Sequence, residues 1–446
     1  MIKKILKILV YFIIFILFIY GVSTIIKLKF TTVMISIILI GIFFYLNFNF
    51  IKNNKLKSLF CSLFFIKLML LIYDIANKNL PMTSGDFQVY HMFSNDIISR
   101  TNSIWEVLSL SSGTDLYLKF NALLYILLEN NYNVPYLFTF IFSLILTIYL
   151  YKTAFLITKN EKASSAIVIL WMITPMEIIY SITYLKEVYI QMFFIISLYK
   201  IIEYIQKGKK ISAILALIFS IIPTLSHSGM IGIVGIYILI IAFYNYKERK
   251  LKFRIKAVIA LVLISTFILV TPLGEKMTTK FKNINDAEDM IEQTQNVEGN
   301  TAYIINTPEN RKDLLLQTPY RFLMFAISPL PWQIISLETT IAWILDGLLQ
   351  YFIFIFYLLY FIKYRPKNEE ERIYKYLSIA IFLVTYLIFA WGTSAYGTAM
   401  RHRLKIYPMT LIFMYEYWKK IKYEFKKEKG IKGYEKAVNK CNSAYL

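Results

Sequence analysis

The chain predicts an all-α integral membrane protein: a polytopic bundle of about twelve transmembrane helices, with interfacial helices in its first external loop. Three observations predict it. Of 446 residues, 57% are hydrophobic, and they gather in runs of span length, which the apolar residues of a soluble domain do not. Lys and Arg clusters recur after alternate apolar runs, the pattern that the positive-inside bias produces. Many of the 35 Tyr and 6 Trp residues stand at the ends of those runs, where amphipathic rings settle at headgroup level.

The spans follow in order. The first lies near 8–26 and the second near 30–47, bracketed by Lys3, Lys4 and Lys7 before and Lys52, Lys55 and Lys57 after. The opening apolar stretch is too long for a signal peptide and lacks a small-residue cleavage site, so it reads as a retained span. A third span near 58–74 leads into an external loop, 75–134. Phe87 to Ile98 and Leu116 to Leu128 have helical apolar spacing but are too short to cross, and read as interfacial helices. Spans follow near 135–157, 163–180, 188–206, 211–225, 229–246 and 256–272. A second external loop, 273–338, has a polar first part and an apolar second part broken at Pro319, Pro329 and Pro331. The last spans lie near 339–362, 374–391 and 404–418. Residues 1–418 thus form the membrane domain and 419–446 a basic cytoplasmic tail.

The formal net charge is +21, from 49 Lys and Arg against 28 Asp and Glu. The basic residues are scattered among loops between spans, which argues against nucleic acid and for membrane orientation. Cys61 falls in a span and Cys441 in the tail, too far apart in this topology to pair. No His/Cys spacing fits zinc, and neither a Gly-rich phosphate loop nor Gly-x-Ser-x-Gly occurs. The expectation is therefore an activity without metal or nucleotide cofactor.

The polar residues suited to chemistry fall in loops that charge bias places away from the cytoplasm. Ser84-Gly85-Asp86-Phe87-Gln88-Val89-Tyr90-His91 opens the first external loop. Asp86 is the candidate general base, taking a proton from a hydroxyl acceptor, or a cap for the helix that starts there; Tyr90 and His91 lie within about a turn of it. Asp96 and Asp115 are rival acids, read as a solvated face and a helix cap. Tyr184-Leu185-Lys186-Glu187 places opposite charges between two spans: an interfacial ion pair, or Lys186 on a phosphate and Glu187 on an acceptor hydroxyl or a base. His227, in Ser226-His227-Ser228-Gly229, follows a span short enough to draw its loop inward. Arg401-His402-Arg403 is unexpected on this face; guanidinium forks grip phosphate oxygens in pairs, and the competing reading is snorkelling to headgroups. Arg321 and Pro329-Leu330-Pro331-Trp332 add a possible wall, with Trp332 against an isoprenoid chain or a sugar.

On these residues the chain resembles the GT-C superfamily of polytopic glycosyltransferases and the related bacterial O-antigen and capsule polymerases. The likeness runs from about 59 to 415 as a loose pattern. It rests on Gly85-Asp86 with Tyr90-His91, Thr174-Pro175 through Tyr184-Leu185-Lys186-Glu187, Pro329-Leu330-Pro331-Trp332, and Gly397-Thr398 through Arg401-His402-Arg403 with Pro408. The resemblance implies a polyprenyl (pyro)phosphate-linked sugar donor, a glycan or lipid-linked acceptor and an external active site in the cell membrane. Asp86 would activate the acceptor, and Arg401 and Arg403 would hold the donor phosphate. Two departures point toward a polymerase joining repeat units: no second acid stands beside Asp86, and two spans precede the one leading into the acidic loop. A different class, a polysaccharide or lipid-linked-sugar flippase, predicts repeat symmetry and ionisable groups near the midplane; Lys67 and Asp346 are such groups but have no symmetric counterparts.

Overall fold

The computed structural model describes residues 16–17, 19–47, 51, 53–77, 86–101, 103–110, 115–252, 311–393 and 395–428. The start of the first expected span, Ser84-Gly85, Ser112-Gly113-Thr114, the ninth expected span, the second external loop up to 310 and the tail beyond 428 lie outside the described residues.

The described chain is almost wholly helical. It runs α1 (Ile19–Ile26), α2 (Phe30–Asn47), α3 (Asn54–Asn77), α4 (Asp86–Ser99), α5 (Ile104–Ser109), α6 (Leu116–Leu127), α7 (Asn133–Thr158), α8 (Glu161–Ile173), α9 (Pro175–Ile182), α10 (Glu187–Lys207), α11 (Lys210–Ser226) and α12 (Ile231–Phe243). A two-residue antiparallel pair follows, β1 (Tyr244–Asn245) with β2 (Lys250–Leu251). Then come α13 (Arg311–Ile327), α14 (Leu337–Ala342), a π-helical turn (Trp343–Gly347), α15 (Leu348–Lys363), α16 (Glu369–Trp391), α17 (Tyr396–Leu404) and α18 (Tyr407–Glu428).

Among the described residues five helices are long and apolar enough to cross a membrane, and up to seven if each of two bent pairs is one span. This is the architecture of a multi-pass membrane protein. The expected spans near 8–26 and 30–47 meet the criterion only together, as Ile19–Ile26 and Phe30–Ile42 at 117°. The expected span near 163–180 is likewise bent, by 71° between α8 and α9. Its cause is local: Pro175 disfavours helical backbone at Thr174 and is itself well placed as the first residue of a new helix. The helices expected over Phe87–Ile98 and Leu116–Leu128 are α4 and α6.

Burial separates centre from rim. In α10, 78% of the most apolar window is buried, against 33% for α3. α10 packs between α7 and α11. By contrast Phe65 and Ile66 of α3, and Phe352, Phe361 and Ile362 of α15, are exposed, as side chains bathed in lipid would be. Two buried hydroxyls of α7 close on their own helix: Thr139 donates to the Pro135 carbonyl at 2.9 Å and Thr147 to that of Ser143 at 2.7 Å. That satisfies them without water. α10 ends at Gly208, where φ is +66° and a Cβ would sit 2.5 Å from the Tyr246 ring; only glycine meets both demands.

Candidate functional site

The site is organised by α17, which continues through Lys405 toward α18. Positions four apart on a helix share a face, whereas positions two apart are about 200° apart. Arg401 and Lys405 therefore look one way and Arg403 the other.

Two distant stretches of chain converge on Arg401. Its Nε donates to Glu187 Oε1 at 3.0 Å and its Nη2 to the Tyr90 hydroxyl at 3.3 Å. Its Nη1 donates to Asp86 Oδ2. Lys405 Nζ lies 3.9 Å from the same Glu187 oxygen. Asp86 is the first residue of α4 and Tyr90 stands one turn later on the same face. Glu187 is the first residue of α10, where the helix dipole favours a carboxylate. Exposure falls inward through the cluster: the Asp86 side chain is 46% exposed, Arg401 23%, Glu187 2% and Lys405 0%. Charges of alternating sign thus run from rim to floor. Tyr90 is backed by the rings of Tyr117 at 5.6 Å and Tyr184 at 5.9 Å. Burial, and then the Glu187 charge, push its hydroxyl well above the ordinary tyrosine range, so it is a neutral hydrogen-bonding group.

The remaining candidates divide. His91 turns to the tyrosine cluster: its Nδ1 lies 2.9 Å from the Tyr125 hydroxyl, and the Asn95 amide meets its Nε2 at 3.1 Å. An amide N–H donating there leaves the imidazole proton on Nδ1, and burial lowers the ring's pKa. Lys186 donates to Asp115 Oδ2 at 2.8 Å and to the Ser226 carbonyl at 3.2 Å. Asp115 is also the expected cap, accepting from the Tyr117 backbone at 2.9 Å. Lys186 thus ties α10 to α6 and α11, and its charge already has a counterion. Asp96 pairs with Arg100, four residues on, on the exposed face expected for it.

His227 and His402 form a pair that spacing did not predict. Their Nε2 atoms are 3.1 Å apart, so one of the two carries the shared proton. Thr393 Oγ1 meets His402 Nδ1 at 3.0 Å, and the Phe389 ring stacks on His402 at 4.4 Å. Burial, then the charges of Lys405, His227, Arg401 and Lys186, hold the His402 pKa well below the usual imidazole value.

Arg403 departs from the expectation that it shares an anion with Arg401. Its guanidinium lies 2.7 Å from Asp346 Oδ2, with both side chains 0% exposed. It donates to the carbonyls of Phe325 at 3.1 Å and Ser328 at 2.7 Å. Asp346 accepts from Gln350 at 2.8 Å, and Gln350 accepts from the Tyr386 hydroxyl at 2.9 Å. Arg403 therefore binds α17 to the end of α13 and to the π-helical turn. The physical reason is helical phase, two residues round from Arg401. Arg321 is buried and donates to Gln317 at 3.1 Å, while Trp332 is 75% exposed.

Two participants were missed in the sequence. Lys405 had a usable signal, four residues beyond Arg401. Gln191 had none: its amide meets Glu177 Oε1 and the Leu404 carbonyl, each at 2.6 Å. Chemically, the cluster offers an accessible carboxylate beside a guanidinium that is aimed from behind by a buried one. Among the described residues no three His, Cys, Asp or Glu side chains group as metal ligands. Compared with known proteins, the chain matches no family model, no curated protein and no solved structure.

Proposed function

We propose that this chain is a membrane glycosyltransferase that takes its sugar from a polyprenyl phosphate carrier, in building a surface polysaccharide or a lipid-linked glycan. The observation that carries the reading is the meeting of Asp86, Tyr90 and Glu187, from two separate regions, on Arg401. The acceptor hydroxyl gives its proton to Asp86. Its oxygen bonds to the anomeric carbon of the donor sugar. The bond from that carbon to the phosphate oxygen breaks, and its electron pair leaves with the phosphate. Arg401 stabilises the charge growing there, an effect larger in a partly dry site than in water. Glu187, buried and bonded to Nε, aims the guanidinium. It also supplies the second acid that the sequence lacks beside Asp86.

In this reading the site faces away from the cytoplasm of a bacterial cell membrane, in a bundle of about twelve spans. The charge pattern supports that side: α10 starts at Glu187 and ends at Lys207, with Lys209 and Lys210 beyond it, so its far end is the cytoplasmic one. A polymerase would use the same groups on a polyprenyl pyrophosphate carrying a whole repeat unit. The flippase reading draws on a different observation, the line of buried polar groups from the Leu404 carbonyl through Gln191 to Glu177, with Lys67 of α3 near enough to feel the Glu177 charge.

Analysis of lipid-linked intermediates after deletion separates the three. Truncated units are expected for a sugar transferase. Complete single units accumulating at the outer leaflet mean a polymerase, and complete units held at the inner leaflet mean a flippase. Asp86→Asn and Arg401→Ala are each expected to abolish product while the protein still inserts; normal glycan assembly in either variant overturns the assigned roles.

A further inference from the structure

We infer that Asp86 and a phosphate-bearing lipid compete for the same edge of Arg401, so that donor binding releases the carboxylate that acts as base. The inference rests on the glycosyl-transfer reading of this site. Its ground is the unequal standing of the two acids on one guanidinium. Glu187 holds Nε from a buried position, 2% exposed, whereas Asp86 holds Nη1 from the rim, 46% exposed. Removing a partner from a buried ion pair leaves a charge without compensation, which costs far more than the loss of an exposed pair. Only Asp86 is therefore exchangeable at moderate cost. A phosphate brings more charge than a carboxylate and oxygens that match a guanidinium fork. The outward nitrogens, Nη1 and Nη2, now serve Asp86 and the Tyr90 hydroxyl.

The consequence is an order of events. With no donor, Asp86 Oδ2 is engaged by the guanidinium. When the donor phosphate takes Nη1, Asp86 remains at the first turn of α4, close to the anomeric carbon and free to accept the acceptor's proton. When the polyprenyl phosphate product departs, Asp86 returns to Arg401 and helps to displace it.

The test is binding of farnesyl phosphate and of inorganic phosphate to the full chain in lipid nanodiscs, comparing wild type, Asp86→Asn, Asp86→Ser and Arg401→Ala. Retention of fold is read by thermal melting, and two substitutions at Asp86 guard against failure of one. Loss of the competitor is expected to tighten farnesyl phosphate binding about fivefold in both Asp86 variants, equivalent to about 1 kcal/mol, although both lose turnover. Unchanged or weaker binding in folded Asp86 variants overturns the exchange while leaving the phosphate site standing. Wild-type binding that Arg401→Ala does not diminish, or no binding at all, overturns the site reading itself. Removing the competitor tightens any phosphate at that edge by one factor, so the lipid part is read from wild-type affinity: farnesyl phosphate binding more tightly than inorganic phosphate assigns the site to a lipid headgroup, and equal affinities assign it to the phosphate alone and overturn the lipid part of the inference.

Discussion

Arg401 and Arg403 are the same residue type, two positions apart on one helix, and they live in opposite physical regimes. Arg403 is sealed: its charge meets Asp346 at 2.7 Å, both side chains are 0% exposed, and its other donors reach backbone carbonyls. Arg401 is half open, shared between a buried acid, an exposed acid and a phenol. The first arrangement fixes α17 in place. The second leaves one partner replaceable. A single turn of helix thus carries both a sealed ion pair and a partly exposed one, because its two faces meet different surroundings.

The comparison breaks most visibly at Arg403. Arg403→Ala leaves Asp346 buried without its counterion and is expected to cost about 3–5 kcal/mol, measured as loss of monodisperse protein and of melting temperature in detergent. Replacing both partners, as Arg403→Met with Asp346→Leu, is expected to recover most of that stability. A single variant as stable as wild type would show that the sealed pair does not hold the helix.

On the proposed glycosyl-transfer reading, the large effect at Arg401 moves from stability to activity. Arg401→Lys keeps a cation but loses the planar fork, and transfer is expected to fall by about 10²–10³ with little change in melting. A variant that melts early instead would place Arg401 in the same class as Arg403.

Gly229 sharpens the contrast between the faces at smaller scale. A Cβ there would lie 2.3 Å from Phe389, the ring that stacks on His402. Gly229→Ala is expected to cost about 1–3 kcal/mol as an overpacked contact, and to lower activity by disturbing the residue next to Arg401. Unaltered melting would mean that the ring moves aside freely.

The smallest effect is that of pH. The folded His402 pKa lies well below the ordinary 6.5, so below that value the unfolded chain binds a proton that the folded chain refuses. Stability is accordingly full above 6.5 and falls as pH drops toward the folded value. Melting temperature is expected to decline between pH 7.5 and 5.5, and His402→Gln to flatten the decline. An equally steep decline in that variant would assign the dependence to other groups.

Much of this architecture was legible in the chain. Apolar run length located α7, α10, α16 and the span Thr339–Lys363 closely, since a helix that must bury its side chains or face them to lipid leaves its length in composition. Asp115 as a cap follows from local backbone chemistry that needs no tertiary context; Pro175 carries the same kind of local signal, yet by apolar run length 163–180 reads as one unbroken span. The bend angles were not legible: a proline announces a break, but its direction depends on what packs against the second segment. The adjacency of Arg401 and Arg403 invited a paired reading, and helical phase alone was enough to oppose it.

The amino-acid order by itself determined which segments are helical, where they stop and which ends carry positive charge, because those properties depend on neighbours within a turn or two. Only the tertiary structure decided that residues 86, 187 and 401 share one guanidinium, that residue 403 is locked to residue 346, and that two histidines 175 positions apart meet at 3.1 Å. Those contacts depend on how helices lean and rotate against one another, which is set by the packing of all their side chains together.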